Sequence, residues 1–253
     1  MAAAANPIEQ FEIHEYFPVV NIAGHQIAFT DAAMFMVLAV VLTAALMLGA
    51  TAGRRLVPTR MQSVAELLYE FVATMIRSTA GEHGMKFLPL VFSVFIFVLI
   101  ANLVGLIPLS FSITSQIVVT ASLALLVFFT VIIHGLWQHG FRFFKLFAPS
   151  GVPVVMQLLI VPIEIMSFLA RPVSHSLRLF ANILAGHVTL SLVGSFSAMM
   201  IAGFGVIGWF GALLPLAFAV ALFALELLVA LLQAYVFAIL TCIYLNDSLH
   251  PGH

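Results

Sequence analysis

Long apolar runs separated by short polar stretches dominate this chain. A helix needs about 17 to 25 apolar residues to cross the hydrocarbon core of a bilayer. Five runs are candidates for such helices, at residues 32–52, 87–109, 117–133, 154–201 and 206–245. This pattern predicts an all-α polytopic membrane protein with about five membrane helices.

The last two runs are too long for helices that stand upright in a membrane. Either each run folds back as two short helices, or each forms one long and strongly tilted helix. Residues 216–245 contain no proline or glycine, which favours the tilted helix. Pro162 and Pro172 are expected to kink the earlier run, because each removes one backbone hydrogen bond. Three glycines between the runs are predicted to provide the reversal: Gly203, Gly205 and Gly208.

Residues 57–80 have a different pattern. Apolar side chains recur there at helical spacing, but four charged residues interrupt them: Arg60, Glu66, Glu70 and Arg77. This pattern predicts one amphipathic helix that lies at the membrane interface without crossing the bilayer. Gly81 and Gly84 are expected to end this helix.

The charges between the runs predict the orientation of the chain. Residues 1–31 are acidic and contain no lysine or arginine, whereas basic residues follow the first and third runs, namely Arg54, Arg55, Arg60, Arg142 and Lys145. Because positively charged loops stay in the cytoplasm, we expect a periplasmic N-terminus and a cytoplasmic C-terminus. The expected domains are an outside-facing polar leader at 1–31 and a single integral membrane domain at 32–253.

The composition supports this class and excludes others. The chain is 63% hydrophobic and 8% charged, with a mean hydropathy of +1.19, whereas soluble domains have about 25% charged residues. A formal net charge of −1 argues against nucleic-acid binding. Cys242 is the single cysteine, so neither a disulfide framework nor a cysteine metal site is expected.

Arg178 is a permanent charge in an otherwise apolar stretch. A guanidinium stays protonated at any biological pH, and placing it near the bilayer midplane costs at least about 2.5 kcal/mol. Ser174 lies slightly to one side of Arg178 in helical projection. Four further polar residues fall within roughly 60° of Arg178 on an ideal helix: Glu164, Arg171, His175 and Asn182. This polar stripe indicates that the helix faces water, a partner or a pathway.

The last run carries a second polar face. Glu226 and Gln233 nearly superimpose in helical projection, and Tyr244 adds to the same face, whereas His187 lies about 180° from Arg178 on the earlier run. We therefore expect two clusters between facing helices: Arg178, Asn182 and Gln233 in one, and His187 and Glu226 in the other. Histidine and glutamate can exchange protons near neutral pH, whereas arginine cannot.

Structural roles remain open for the same residues. Arg171 could form an ion pair with Glu164 or extend to the interface, and Arg178 could form a structural ion pair. His175 could be an interfacial histidine whose hydrogen bonds are all satisfied. Asn182 and Gln233 could serve only as interhelical hydrogen bonds, and Glu226 could be a neutral, hydrogen-bonded carboxylic acid.

Several motifs resemble subunit a of F-type ATP synthase, the membrane stator that faces the rotating c-ring. The most specific is PVSHSLRLFAN at 172–182, and further matches are NLVGLIP at 102–108, LQAYVF at 232–237 and FEIH at 11–14. The resemblance covers nearly the whole chain. The order of His187 before Glu226 resembles the mitochondrial and alphaproteobacterial branch, and the polar leader favours the bacterial inner membrane.

The resemblance implies a role for each polar residue. Arg178 would be the essential arginine facing the ring carboxylate, and the proton path would use Glu164 on the inner side, His187 and Glu226 on the outer side, and Asn182, Gln233 and His175. Arg171, Ser174 and Tyr244 would support this path. The implied partners are the c-ring, the b and b' stalk subunits and the remaining ATP synthase, with no cofactor or metal and no catalysis by this chain alone.

Two other function classes fit the composition less well. A proton-coupled secondary transporter would use Arg178 to bind an anionic substrate, but such proteins usually have internal repeats, and none is visible. A haem or metal redox protein would need converging ligands, whereas His175 and His187 lie on roughly opposite helix faces.

Overall fold

The computed structural model describes residues 15–22, 25–52, 58–107, 110–147 and 154–249. Several elements of the sequence analysis lie outside these ranges. They are the first half of the leader with its FEIH motif, and the basic residues Arg54 and Arg55 after the first run.

A β-hairpin occupies the second half of the leader, where the hydrophobic pattern predicted only a polar segment. Strand β1 (Glu15–Ile22) pairs antiparallel with β2 (His25–Thr30). Thr30 then ends the hairpin and begins the first helix, because its side chain accepts a hydrogen bond from the backbone N–H of Ala33 at 3.4 Å. A threonine at this position satisfies a donor that the first helical turn leaves open.

Five helices follow the hairpin in the described ranges. They are α1 (Asp31–Thr51), α2 (Arg60–Gly84), α3 (Leu88–Gly105), α4 (Ile117–His139) and α5 (Val154–Leu249). Short 3-10 turns occur at Met85–Phe87, Ile113–Ser115 and Gly140–Phe147. By length and composition, helical stretches within Asp31–Thr51, Arg60–Gly105, Ile117–His139 and Met156–Leu249 are able to cross a membrane. The predicted all-α polytopic membrane fold is confirmed.

Helix α2 forms where the amphipathic pattern predicts it. Gly81 has φ 66° and ψ −170°, a backbone conformation that glycine adopts without steric penalty, and the helix ends at Gly84 as expected. Met75 and Ile76 are buried, whereas Leu67 remains exposed. Only the C-terminal half of α2 therefore packs into the core, and its N-terminal half keeps an apolar surface. Its location at the membrane interface stays a prediction.

Helix α5 folds back on itself. Its 96 residues would extend about 144 Å as a straight helix, far more than the roughly 30 Å of a hydrocarbon core. Gly205, with φ 56° and ψ −129°, is the position in α5 where the backbone leaves helical dihedrals. We call residues 154–204 the first arm and residues 206–249 the second arm. The predicted reversal in the glycine segment is confirmed.

The prolines do not interrupt the arms. Pro162, Pro172 and Pro215 lie inside α5, and no non-helical dihedral occurs at any of them. Each proline removes a backbone donor, yet the helical path continues through all three positions. The tilted-helix alternative therefore describes both arms better than two short hairpins.

The core lies between α5 and the helices α2, α3 and α4. Val72, Val91 and Val98 are completely buried there together with Leu179 and Cys242, so Cys242 packs as a small apolar residue. One buried polar contact also links α3 to the second arm: the Asn102 side-chain amide donates to the backbone carbonyl of Ala230 at 3.2 Å. This packing holds the second arm at a fixed position beside α3.

The reversal itself depends on close backbone contact. A Cβ atom at Gly208 would overlap the backbone carbonyl of Met200 on the first arm, and backbone atoms cannot move aside as flexible side chains do.

We expect Gly208→Ala to destabilise the protein by about 1 to 3 kcal/mol, which is typical of overpacking in a tight contact. The midpoint of thermal unfolding in detergent measures this loss. Gly194→Ala is the matched control, because a Cβ at Gly194 meets nothing within 4 Å. Equal midpoints for the two variants would contradict the close contact.

Candidate functional site

Arg178 lies on the open face of the first arm. Its side chain is exposed, and within the part of the chain that the structure describes it forms neither a hydrogen bond nor an ion pair. Leu179 and Ile183, on the other side of the arm, are almost completely buried. The packing of the arm therefore directs the guanidinium out of the subunit, and the alternative of a structural ion pair for Arg178 is wrong within these ranges.

The predicted polar stripe divides into an open part and a buried part. Ser174 and Asn182 are exposed like Arg178, and Glu164 and Arg171 are partly buried. His175 is only 3% exposed, because its position about 60° around the helix from Arg178 places it on the packed side. From Glu164 to His187 the first arm rises about 35 Å, close to the thickness of a hydrocarbon core. The polar residues thus follow one arm across a distance comparable to a bilayer.

Asn182 and Gln233 connect the two arms one turn beyond Arg178. The Asn182 side-chain amide donates a hydrogen bond of 3.0 Å to Oε1 of Gln233. Gln233 is 4% exposed, so this contact satisfies an acceptor that has little access to water. The structure brings these two residues together as the helical projection predicts, next to Arg178 in the first arm.

His187 and Glu226 meet further toward the reversal. His187 Nε2 lies 3.6 Å from Glu226 Oε1, slightly beyond direct hydrogen-bond distance. Gly186 makes this approach possible, because a Cβ there would lie 2.8 Å from Glu226 Oε1.

A cavity adjoins Glu226. Its volume is about 290 Å³, and its lining includes Asn182, Gly186, Thr189 and Glu226. A space of this size is far larger than the volume one water molecule needs. One member of each polar contact, Asn182 and Glu226, therefore borders the same space.

The ends of the arms opposite the reversal carry a third polar cluster. Arg171 Nη1 lies 2.5 Å from Asp247 Oδ2, and the Arg171 guanidinium also packs over the rings of Phe168 and Tyr244 at 5.3 and 5.1 Å. The expected alternative of an Arg171–Glu164 pair is therefore wrong. Arg171 turns toward the second arm because Asp247 offers a carboxylate there, and Glu164 makes no ion pair within the described ranges.

His175 occupies an apolar and aromatic environment. Its ring lies 3.8 Å from the ring of Phe237 and 6.0 Å from that of Tyr244, measured between centroids. Its Nε2 atom is buried and has no hydrogen-bond partner among the described residues. The alternative of a satisfied interfacial histidine is therefore wrong. The neighbouring Ser176 is buried and shares a 3.1 Å hydrogen bond with Thr120 of α4.

Sequence reasoning missed Asp247 and Thr120. Asp247 lies beyond the last apolar run, which ends at residue 245, but the second arm continues to Leu249. The charges of α5 offered a signal. This helix has three acidic residues (Glu164, Glu226 and Asp247) but only the two arginines of the polar stripe to pair with them. Nothing in the sequence pairs Thr120 with Ser176, since that contact joins separate helices.

The comparisons with known proteins show the family of the chain. A family model described as ATP synthase A chain matches residues 32–246. The chain belongs to this family. It is 62% identical to ATP synthase subunit a of Nitrobacter winogradskyi over 98% of this chain and 99% of that relative. It is 61% identical to the Afipia carboxidovorans protein over 98% and 100%, and 59% identical to one from Rhodopseudomonas palustris over 99% and 100%.

Membership in the ATP synthase A chain family confirms the resemblance noted from the motifs. It assigns the chain to ATP synthesis and proton transport in the membrane sector of the synthase. The relatives are alphaproteobacterial, in agreement with the order of His187 before Glu226. The chain is an integral membrane protein of the bacterial inner membrane.

The Asn182–Gln233 contact can be measured with a double-mutant cycle. We expect Asn182→Leu to destabilise the protein by about 1 kcal/mol, because the buried Gln233 Oε1 then lacks its donor. Adding Gln233→Leu should cost less than the sum of the single changes. Thermal unfolding in detergent provides the free energies, and Ala181→Leu, at an exposed neighbouring position, is the control for added apolar surface. Strict additivity would mean that the two side chains do not interact.

Proposed function

We propose that this chain conducts protons through two separate half-channels of the ATP synthase membrane sector, and that Arg178 separates them. The observation that supports this proposal is the distribution of charge in α5. Glu226 lies beside His187, and Asp247 is paired with Arg171, whereas Arg178 is exposed and without an ion pair in the described residues. A permanent cation at bilayer depth requires a counter-charge, and a carboxylate on another subunit is able to supply it.

The outer half-channel would run past His187 and Glu226. Both groups are able to exchange protons, they lie 3.6 Å apart, and a cavity of about 290 Å³ adjoins Glu226. A proton that passes this pair would neutralise a carboxylate on a neighbouring subunit of the c-ring. The neutral group can then enter lipid without the penalty for burying a charge.

The inner half-channel would begin near Glu164, on the other side of Arg178. A ring carboxylate that arrives there after nearly a full turn meets the positive charge of Arg178. This charge stabilises the ionised carboxylate and so favours release of the proton. The same charge repels protons and prevents direct passage between the half-channels. The attraction must be weak enough for the ring to move on, so a contact through water fits better than a tight salt bridge.

The proposed partners are the c-ring, the b and b' peripheral stalk subunits and the remaining ATP synthase, and the subunit is not catalytic by itself. The proposed orientation has the N-terminus in the periplasm and the C-terminus in the cytoplasm. Described basic residues support it, because Arg60, Arg77 and Lys86 all lie between α1 and α3, on the side that the positive-inside rule assigns to the cytoplasm.

Removal of the charge at Arg178 tests the proposal. In reconstituted vesicles, Arg178→Ala should lower proton-driven ATP synthesis by at least about 100-fold, a typical loss when one preorganised charge is removed. Leu177→Ala, at the adjacent exposed position, is the control and should remain active. ATP synthesis at the normal rate in Arg178→Ala would refute the proposal.

The paired placement of His187 and Glu226 leads to a further prediction. Glu226→Gln should strongly reduce ATP-driven proton pumping, because an amide cannot release a proton at this site. The exchange His187→Glu/Glu226→His keeps one histidine and one carboxyl group at the same contact and should recover most of the pumping. Pumping in inverted vesicles is read from the acidification of their interior. An exchanged variant no more active than Glu226→Gln would show that position, and not the pair, determines function.

A further inference from the structure

The free ends of the two arms are joined by a well-defined ion pair. Arg171 and Asp247 have side chains only 20% and 28% exposed, with 2.5 Å between Nη1 and Oδ2. The rings of Phe168 and Tyr244 pack against the same guanidinium. Charges in such partly buried surroundings interact more strongly than on an open surface, where a pair contributes little. Arg171 is therefore held by one carboxylate and two aromatic rings.

The end of the second arm is also attached to α4. Nε2 of His139, the last residue of α4, lies 3.2 Å from the backbone carbonyl oxygen of Leu249. Leu249 is two residues beyond Asp247, and the intervening Ser248 is completely buried. The Asp247 carboxylate thus projects from a segment whose position relative to α4 is fixed.

Arg171 and Arg178 are mechanically connected by the first arm. Seven residues correspond to two helical turns, which place Arg178 about 10 Å further along the axis and roughly 20° around it. Because a helix resists twisting over so short a distance, holding Arg171 also determines the direction in which Arg178 leaves the arm. The Asn182–Gln233 hydrogen bond holds the arm on the other side of Arg178.

We propose that Asp247 is a positioning residue, which acts through Arg171 to direct Arg178 toward its moving counter-charge. This inference rests on the proposed function of Arg178. Asp247 has no contact with the reacting carboxylate in this scheme. Because Asp247 is already paired with Arg171, it does not pair with Arg178, and Arg178 remains available to another subunit.

The test compares membrane vesicles that contain the complete ATP synthase, with ATP-driven proton pumping divided by the amount of assembled complex. Asp247→Asn should lower the rate per complex about 10-fold, since small displacements of a positioned group have effects of this size or larger. Arg171→Asp should be at least as impaired. The exchange Arg171→Asp/Asp247→Arg restores opposite charges and should return to within about twofold of the original rate, because the pair interaction is reciprocal.

Glu82→Gln is the matched control. It removes a carboxylate from another ion pair, Arg77–Glu82, whose side chains are 55% and 79% exposed, so the rate per complex should not change.

Three results would overturn the inference. The first is an unchanged rate per complex in Asp247→Asn. The second is a lower amount of assembled complex, or none at all, without a lower rate per complex, because the pair would then serve folding alone. The third is an exchanged variant no better than the single charge reversal. Arg178→Ala in the same vesicles separates this inference from the proposed function: normal pumping there refutes both, whereas an inactive Arg178→Ala beside a normal Asp247→Asn refutes only the positioning role.

Discussion

The permanent charge of Arg178 is the constraint on which the rest of this structure depends. A guanidinium cannot be neutralised by burial, so a chain in lipid must either pair it internally or leave it open to a partner. In α5, Asp247 contacts Arg171 and Glu226 lies beside His187, whereas Glu164 is 14 residues before Arg178, about 21 Å away along the helix axis. The fold thus leaves Arg178 open, as the proposed interaction with a carboxylate of another subunit requires.

The antiparallel hairpin of α5 is what makes this arrangement possible. Gly205 turns the chain back, and contacts then recur between the arms from Gly208 to Asp247. Each polar contact joins a residue of one arm to a residue of the other. Arg178 lies between the Arg171–Asp247 and Asn182–Gln233 contacts, which we propose hold its direction.

The remaining helices supply a rigid support for the hairpin. Helices α2, α3 and α4 cover the packed side of the arms with completely buried valines, and Asn102 and Thr120 add hydrogen bonds to the second and first arm. The opposite side of the hairpin keeps large exposed apolar residues, among them Leu177 and Leu231. A fixed back and an open, apolar front fit the proposed role of a stator beside a moving ring.

The motifs of the sequence resembled those of a known family. The sequence by itself also determined the apolar runs, the reversal at the glycines and the polar stripe. These features depend on hydrophobic length, backbone freedom and helical periodicity, which are local properties of the chain. Only the tertiary structure decided that Arg171 pairs with Asp247, that His175 is buried beside Phe237, and that Arg178 stays unpaired among the described residues. The partners in those contacts are separated by up to 76 residues, and the choice between them depends on how the two arms pack, which periodicity along one helix does not encode.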